Sequence, residues 1–380
     1  MAIAADTSSD VRPFDALLLV SFGGPEKPAD VLPFLDNVTR GRGIPRDRLD
    51  QVAEHYLRRG GRSPINDQCH ALIAAIRADL DAHDIDVPLY WGNRNWDPYL
   101  RDTLARMGAD GIRRAACFVT SAYASYSGCR QYRENLYDAV GSVDGAPRLD
   151  RLRHYFNHPG FVDPMVDATV DALATLPAQD RDDAHLVFVT HSIPTSMNRA
   201  SGRGADSFPN GGAYVAQHLD VAATISTGVA QRTGRTRERA LVFCSRSGPA
   251  SIPWLEPDVN DHLDIVVAHG VRAVVVVPIG FVSDHMEVAH DLDTEAARTA
   301  GDLGIGFARA ATPGVDARFV AMVRGLLVER AAVERGDPVS RPSVGALPPS
   351  WDRCPAGCCT NARDPQRPAL GGSDQSAAHQ

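Results

Sequence analysis

Four consecutive valines, Val274, Val275, Val276 and Val277, stop at Pro278 and Gly280, and a run of acids follows. An apolar β-branched stretch this short, closed by turn residues, reads as a strand buried on both faces, which a parallel sheet supplies. Beyond it Glu287, Asp291 and Glu295 recur at every fourth residue, which on a helix sets three carboxylates in one row, with His285 and His290 close by. Like charges at that spacing repel, so the row makes sense if something cationic offsets it. An acidic row is ordinarily a solvated helix face. This one begins at the carboxyl end of a strand, where open α/β sheets bind their ligands. Hard oxygen donors beside imidazole suit a divalent metal, bound briefly and passed along.

The same figure recurs along the chain. Apolar runs at 16–22, 87–93, 115–123, 186–190, 240–245 and 273–277 read as buried strands, and the stretches between them are long enough for helices. Helical spacing is clearest over 30–59 with a break at 41–45, over 66–83, onward from Gln131, and over 164–176. Alternating strands and helices imply parallel sheets with right-handed crossovers. A chain of 380 residues exceeds one ordinary core. The expected fold is therefore α/β, with two similar Rossmann-like lobes, each a parallel sheet flanked by helices, and a cleft between them. The lobes are expected at 14–176 and 177–335, followed by a tail at 336–380. Gly, Ser and Asn over 201–212 predict an exposed loop beside the cleft, and Pro and Gly over 336–349 predict a linker or extended tail.

A net charge of −8 without a basic block argues against a nucleic-acid partner. No apolar run approaches the length of a membrane span, and the polar, acidic first fifteen residues do not resemble a secretory signal. The expectation is a cytoplasmic chain. Seven cysteines, an odd number, in such a chain speak against a disulfide framework.

Three groups of residues could carry chemistry. His191 ends the strand LVFVT in the run VTHSIP, so it and Glu287 both follow second-lobe strands. They can face each other across a pocket, one as proton acceptor, the other as acid or metal donor. Trp91, Asn93, Arg94, Trp96, Tyr123, Tyr126 and Tyr132 gather near first-lobe strand ends, with Arg40, Arg42, Tyr56 and Ser63 upstream. About half of such aromatics merely fill cores, but clustered at loop ends with arginines they suit a flat apolar ligand with carboxylates on its rim. In the tail, Cys354, Cys358 and Cys359 form CxxxCC, and Cys129 is the natural fourth thiol. Zinc and an iron–sulfur cluster both fit that count.

The runs LLLVSFGGPE, GGRSPIN, YWGNRNW, FVTSAYASYSGCRQY, VTHSIP, SRSGPASIPWLEP and PIGFVSDHMEVAHDLDTE, in this order, resemble the ferrochelatases over about residues 14 to 330. The likeness is strongest to the actinobacterial branch that inserts iron into coproporphyrin III during haem biosynthesis, and the tail cysteines are similar to those of members with a [2Fe-2S] cluster. The resemblance implies a lyase that takes Fe2+ and coproporphyrin III as substrates and works as a soluble monomer, with transient contacts to neighbouring haem-pathway enzymes. It implies that His191 and Glu287 are the catalytic, metal-binding pair, and that Asp291 and Glu295 form a metal path. Arg40, Tyr56, Ser63 and Tyr132 become porphyrin contacts, and Cys129, Cys354, Cys358 and Cys359 cluster ligands. Where some bacterial relatives have a tyrosine that can ligate iron this chain has Phe22, and Tyr123 is the candidate replacement. Protoporphyrin IX as substrate, cobalt or nickel chelation of a related tetrapyrrole, and a haem or iron–sulfur sensor without turnover remain open alternatives.

Overall fold

The computed structural model describes residues 9–41, 43–203, 208, 211–248 and 251–373. Arg42, the first eight residues and much of the 201–212 loop lie outside them. Two four-stranded, wholly parallel sheets form the framework. The first contains β1 (Ala16–Ser21), β2 (Leu89–Asn93), β3 (Arg114–Val119) and β4 (Arg148–Arg151) in the order β2-β1-β3-β4. The second contains β5 (His185–His191), β6 (Arg239–Cys244), β7 (Ala273–Val277) and β8 (Gly306–Arg309) in the order β6-β5-β7-β8. The orders are the same when each lobe is counted from its own first strand, so the expected pair of similar α/β lobes is present. β1, β5 and β7 are apolar because neighbours on both sides and helices on both faces leave them almost no solvent.

β4 and β8 were not anticipated. Their sequences, RLDR and GFAR, are short and charged, and edge strands need less apolar content than central ones. Tertiary partners absorb those charges: Arg330 donates to Asp150 at 2.9 Å, and Arg309 donates to Asp284 at 3.0 Å.

Twelve α-helices are described: α1 (Val31–Val38), α2 (Arg46–Arg58), α3 (Ile65–Asp81), α4 (Leu100–Ala109), α5 (Gln131–Gly141), α6 (Pro159–Thr175), α7 (Ala178–Arg181), α8 (Thr195–Arg199), α9 (Ala213–Thr233), α10 (Val259–Ala268), α11 (Ala297–Asp302) and α12 (Ala317–Arg335). Two further segments, Tyr126–Arg130 and Val288–Ala296, are π-helical.

Two helices cross over between the sheets. α6 precedes the second sheet in sequence and packs against its β7 and β8, whereas α12 follows it and packs on α3 and β3 of the first. One continuous core, including Leu17, Phe118, Phe161, Phe188, Val275 and Phe319, therefore runs through both lobes. Cuts at 176 and 335 separate the sheets but not their covering helices. Past α12 the described tail has no helix, yet it is held as a strap. Asn157 donates to Leu347 O at 2.7 Å, Asp220 accepts from the Ala346 amide at 2.8 Å, and the Leu370 amide reaches Arg133 O at 3.1 Å. Among the described residues, no helix is long and apolar enough to cross a membrane.

Candidate active site

In the second sheet the strand order reverses between β5 and β7, and such a switch point, at the carboxyl ends of the strands, is where open α/β sheets bind their ligands. His191 is the last residue of β5, and Glu287 lies ten residues past the end of β7. Gly280 lets the β7 loop close on β5, since a Cβ there would lie 2.1 Å from Thr190 Oγ1. His191 Nδ1 donates to the Ser192 carbonyl, which leaves Nε2 facing Glu287 Oε1 at 3.6 Å. That is an ion-pair distance, a little longer than an ideal hydrogen bond, so the two groups meet directly and both present their open edges to the same side of the cleft. The side chains sit deep in the cleft yet keep 32% and 43% of their surface open.

The charges of the pair sustain each other. Burial alone would lower the His191 pKa, but the Glu287 carboxylate and the Ser192 carbonyl reverse this and raise it to about 9. Burial would raise the Glu287 pKa, but His191, helped by His285, brings it down to about 2. The loop carrying Glu287 is fixed from both sides. Gln68 of α3 donates to Asp284 O at 2.6 Å and accepts from the Asp284 amide at 2.7 Å, while the guanidinium of Arg309 grips the Asp284 carboxylate at 3.0 and 3.2 Å. Tyr214 holds the backbone at His191, its hydroxyl lying 2.8 Å from both the His191 carbonyl and Thr190 Oγ1.

The acidic row leaves this pair along the π-helix Val288–Ala296. Sequence spacing suggested an ordinary α-helix, but the wider π turn brings residues four and five apart onto one face. His290, Asp291 and Glu295 thus form one group whose donor atoms lie within 4.8 Å of one another. Burial, opposed by the Ser245 hydroxyl but reinforced by the charges of Glu287 and Glu295, pushes the Asp291 pKa up to about 7. Ser245 donates to Asp291 from a left-handed backbone, φ +61°, rare for a residue with a side chain and costing of order 1–3 kcal/mol. His55 of α2 stacks on His290 with ring centres 3.8 Å apart. Arg59 spans the mouth of the cleft, donating to Ala289 O at 2.6 Å and Thr294 Oγ1 at 2.7 Å.

The first-lobe residues divide. Tyr56 is half-buried and close enough to Glu287 and Asp291 for their charges, after burial, to raise its pKa. It joins Phe22, Phe34 and Trp96 in an aromatic wall, with Phe34 6.0 Å from Tyr56 and 6.1 Å from Trp96. Arg40 is exposed just beyond α1. Tyr123, Tyr132 and Ser63 instead lie in packed surroundings, only 3–5% exposed. Tyr123 stacks on His218 at 3.6 Å and donates to Ile279 O at 2.9 Å, so its hydroxyl is spent inside the fold and not turned toward an iron. Tyr132 lies beneath the guanidinium of Arg94 at 4.3 Å. Ser63 packs under the first βα turn, where a Cβ on Gly24 would come within 2.6 Å of its own. Spacing alone cannot tell a residue facing a cleft from one packed beneath its wall.

Ser245, His55, Gln68, Arg59 and Tyr214 carried no assignment from sequence. Ser245, within the SRSGP run at a strand end, had the most readable signal.

A second constellation lies between the lobes. Cys129 on the π-helix Tyr126–Arg130 and Cys354, Cys358 and Cys359 of the tail are all buried, and none is in a disulfide. The thiols form a ring: Cys129 interacts with Cys354 and Cys359, and Cys358 with Cys354 and Cys359. Arg151 Nη2 donates to Cys354 Sγ at 3.4 Å, and the Gly202 amide to Cys359 Sγ at 3.3 Å. Its sulfur neighbours and Arg151 hold the Cys354 thiol well below the usual range, whereas the other three are pushed up. Four buried thiols that cannot all ionise unaided, with N–H donors on two sulfurs, fit a bound metal or cluster.

Fold and site together define a two-lobed α/β metal-handling enzyme, in which an imidazole–carboxylate pair and a ladder of oxygen donors converge on one cleft. The chain belongs to the ferrochelatase family, whose description, Ferrochelatase, matches residues 14–331, and it is a metal chelatase, a lyase. It is 58% identical over 369 residues to the coproporphyrin III ferrochelatase of Streptomyces coelicolor, covering 96% of this chain and 98% of that one. To the coproporphyrin III ferrochelatase of Frankia alni it is 54% identical over 367 residues, covering 96% and 91%. Among solved structures it is similar to SirB from Bacillus subtilis with Fe3+, at a TM-score of 0.49 and 11% identity, covering 84% of this chain and 97% of that one.

Proposed function

We propose that this chain inserts Fe2+ into coproporphyrin III and releases two protons, a step of haem biosynthesis. The observation that carries the mechanism is the ion pair of His191 and Glu287, 3.6 Å apart at the head of an acidic row. Porphyrin lies against the aromatic wall of Phe22, Tyr56 and Trp96, where exposed Arg40 can meet a propionate. Fe2+ travels along Glu295, Asp291 and His290 to Glu287, losing water to carboxylate oxygens on the way.

At neutral pH His191 already holds a proton, because Glu287 keeps its pKa near 9. A dication arriving at Glu287 cancels that carboxylate's charge. Burial, the opposing cause, then drives the imidazole neutral. Metal delivery would thus prepare the base: His191 would give its own proton to solvent, then take one pyrrole proton as iron enters, while the second pyrrole proton leaves to water. Distortion of the macrocycle, which exposes its nitrogens to the metal, draws on contacts remote from the reacting centre.

Cys129, Cys354, Cys358 and Cys359 are proposed to hold a [2Fe-2S] cluster, which when bound supplies a one-electron centre and a cross-link between tail and first lobe. This reading is supported by the closed ring of free thiols. The enzyme is taken to act as a cytoplasmic monomer.

The decisive experiment mixes purified protein with anaerobic Fe2+ and equal coproporphyrin III and protoporphyrin IX, following the absorption bands of each. Faster metallation of coproporphyrin supports the proposal. Preference for protoporphyrin refutes it, as does faster metallation of coproporphyrin in parallel reactions in which Co2+ or Ni2+ replaces Fe2+.

A further inference from the structure

The cavity beside the four thiols is also lined by Arg151 and His154, which are only 6% and 5% exposed. Arg151 spends one Nη on Cys354, but its Nε has no hydrogen-bond partner among the described residues, and neither does His154 Nε2. Gln217, another lining residue, is already engaged, its Oε1 accepting from the Ala124 amide at 2.8 Å. A buried polar group left unmet is costly, so two in one place call for an acceptor.

The thiolates do not supply it fully. Cys354 is served by Arg151 and Cys359 by the Gly202 amide. A single tetrahedral metal on four thiolates brings no new acceptor. An iron–sulfur cluster brings inorganic sulfides, which accept hydrogen bonds, and a net negative charge that suits a buried guanidinium.

We propose that Arg151 and His154 are the donor face of the cluster site, giving N–H hydrogen bonds to its bridging sulfides while the four cysteines hold the irons. The proposal rests on reading those cysteines as [2Fe-2S] ligands. Donors to sulfur stabilise the more negative, reduced form and raise the reduction potential.

The anaerobically purified protein is assayed for iron and acid-labile sulfide, and its resonance Raman spectrum is compared in H2O and D2O. Dithionite titration then gives the midpoint potentials of wild type, Arg151→Met, His154→Phe and His154→Gln. The expected result is equal iron and sulfide, a deuterium shift in bridging-sulfide modes, and lower potentials for Arg151→Met and His154→Phe. Each of these two should change the reduced-to-oxidised ratio at fixed poise about tenfold, about 59 mV for a one-electron couple. His154→Gln, which keeps an N–H, should recover most of the loss. Equal iron and sulfide with no deuterium shift and unmoved potentials overturns the donor face and leaves the cluster standing. Zinc, or iron without labile sulfide, overturns both. Should the variants fail to fold, the wild-type deuterium shift decides alone.

Discussion

Glu287 is the largest of the groups that raise the His191 pKa, so removing its charge should let the opposing effect of burial show. In Glu287→Gln, burial remains while the largest raising charge is gone and only the Ser192 carbonyl and Asp291 still oppose it, so the His191 pKa should fall clearly from about 9, as read by NMR of the labelled imidazole. Iron insertion should fall by about 10²-fold or more, the usual scale for a missing acid–base partner. A His191 that still titrates near 9 in this variant contradicts the coupling. The same pair leaves a mark on stability. The raised His191 pKa stabilises the fold fully below 6.5, and the benefit is lost as pH climbs through about 9. The lowered Glu287 pKa stabilises fully above 4.5 and is lost as pH falls through about 2. The melting temperature of wild type minus that of a His191→Asn, Glu287→Gln double variant should therefore be greatest between pH 4.5 and 6.5. Solvent reaches both groups, so the effect belongs to the scale of exposed pairs, up to about 1 kcal/mol.

The position of Glu287 depends on segments distant from it in sequence. The loop after β7 carries Glu287 and is clamped by the two reciprocal hydrogen bonds between Gln68 and the Asp284 backbone. Gln68→Ala should cost about 1–3 kcal/mol in denaturant unfolding. It should also lower kcat by up to about 10²-fold, since a carboxylate displaced by an ångström no longer meets its partner. A variant that loses stability but keeps kcat would show that the clamp supports the fold and not the site. A π-helix carries part of each of the two side-chain groups: the His290, Asp291 and Glu295 set lies on one, and Cys129 on the other. Composition does not announce such turns, because the extra residue they absorb is accommodated by packing.

Over the whole molecule the tail and the crossing helices make two similar lobes into one body. Asn157 donates to the strap, the Asp220 carboxylate and the Arg133 carbonyl accept from its amides, and Cys359 exchanges bonds with Gly202 of the segment that leads away from His191. A chain ending at Gly336 should lose about 2–5 kcal/mol of stability in chemical denaturation, because several buried partners are left unmet at once. An unchanged midpoint would mean that the strap merely lies on the surface.

Read by itself, the sequence already contained the central strands, the alternation that makes the sheets parallel, and the acid row placed past a strand end. These follow from local period and from the near-total burial of β1, β5 and β7, both written in consecutive residues. Tertiary structure alone decided that β4 and β8 exist, that α6 and α12 trade sheets, that Tyr123 and Tyr132 point into cores, and that His290 joins Asp291 and Glu295. Such outcomes depend on contacts between distant segments: the charged edge strand β4 is stable only once Arg114 of β3 and Arg330 of α12 meet its Asp150 and Glu334 of α12 faces its Arg148, and a tyrosine's direction is set by what packs over it.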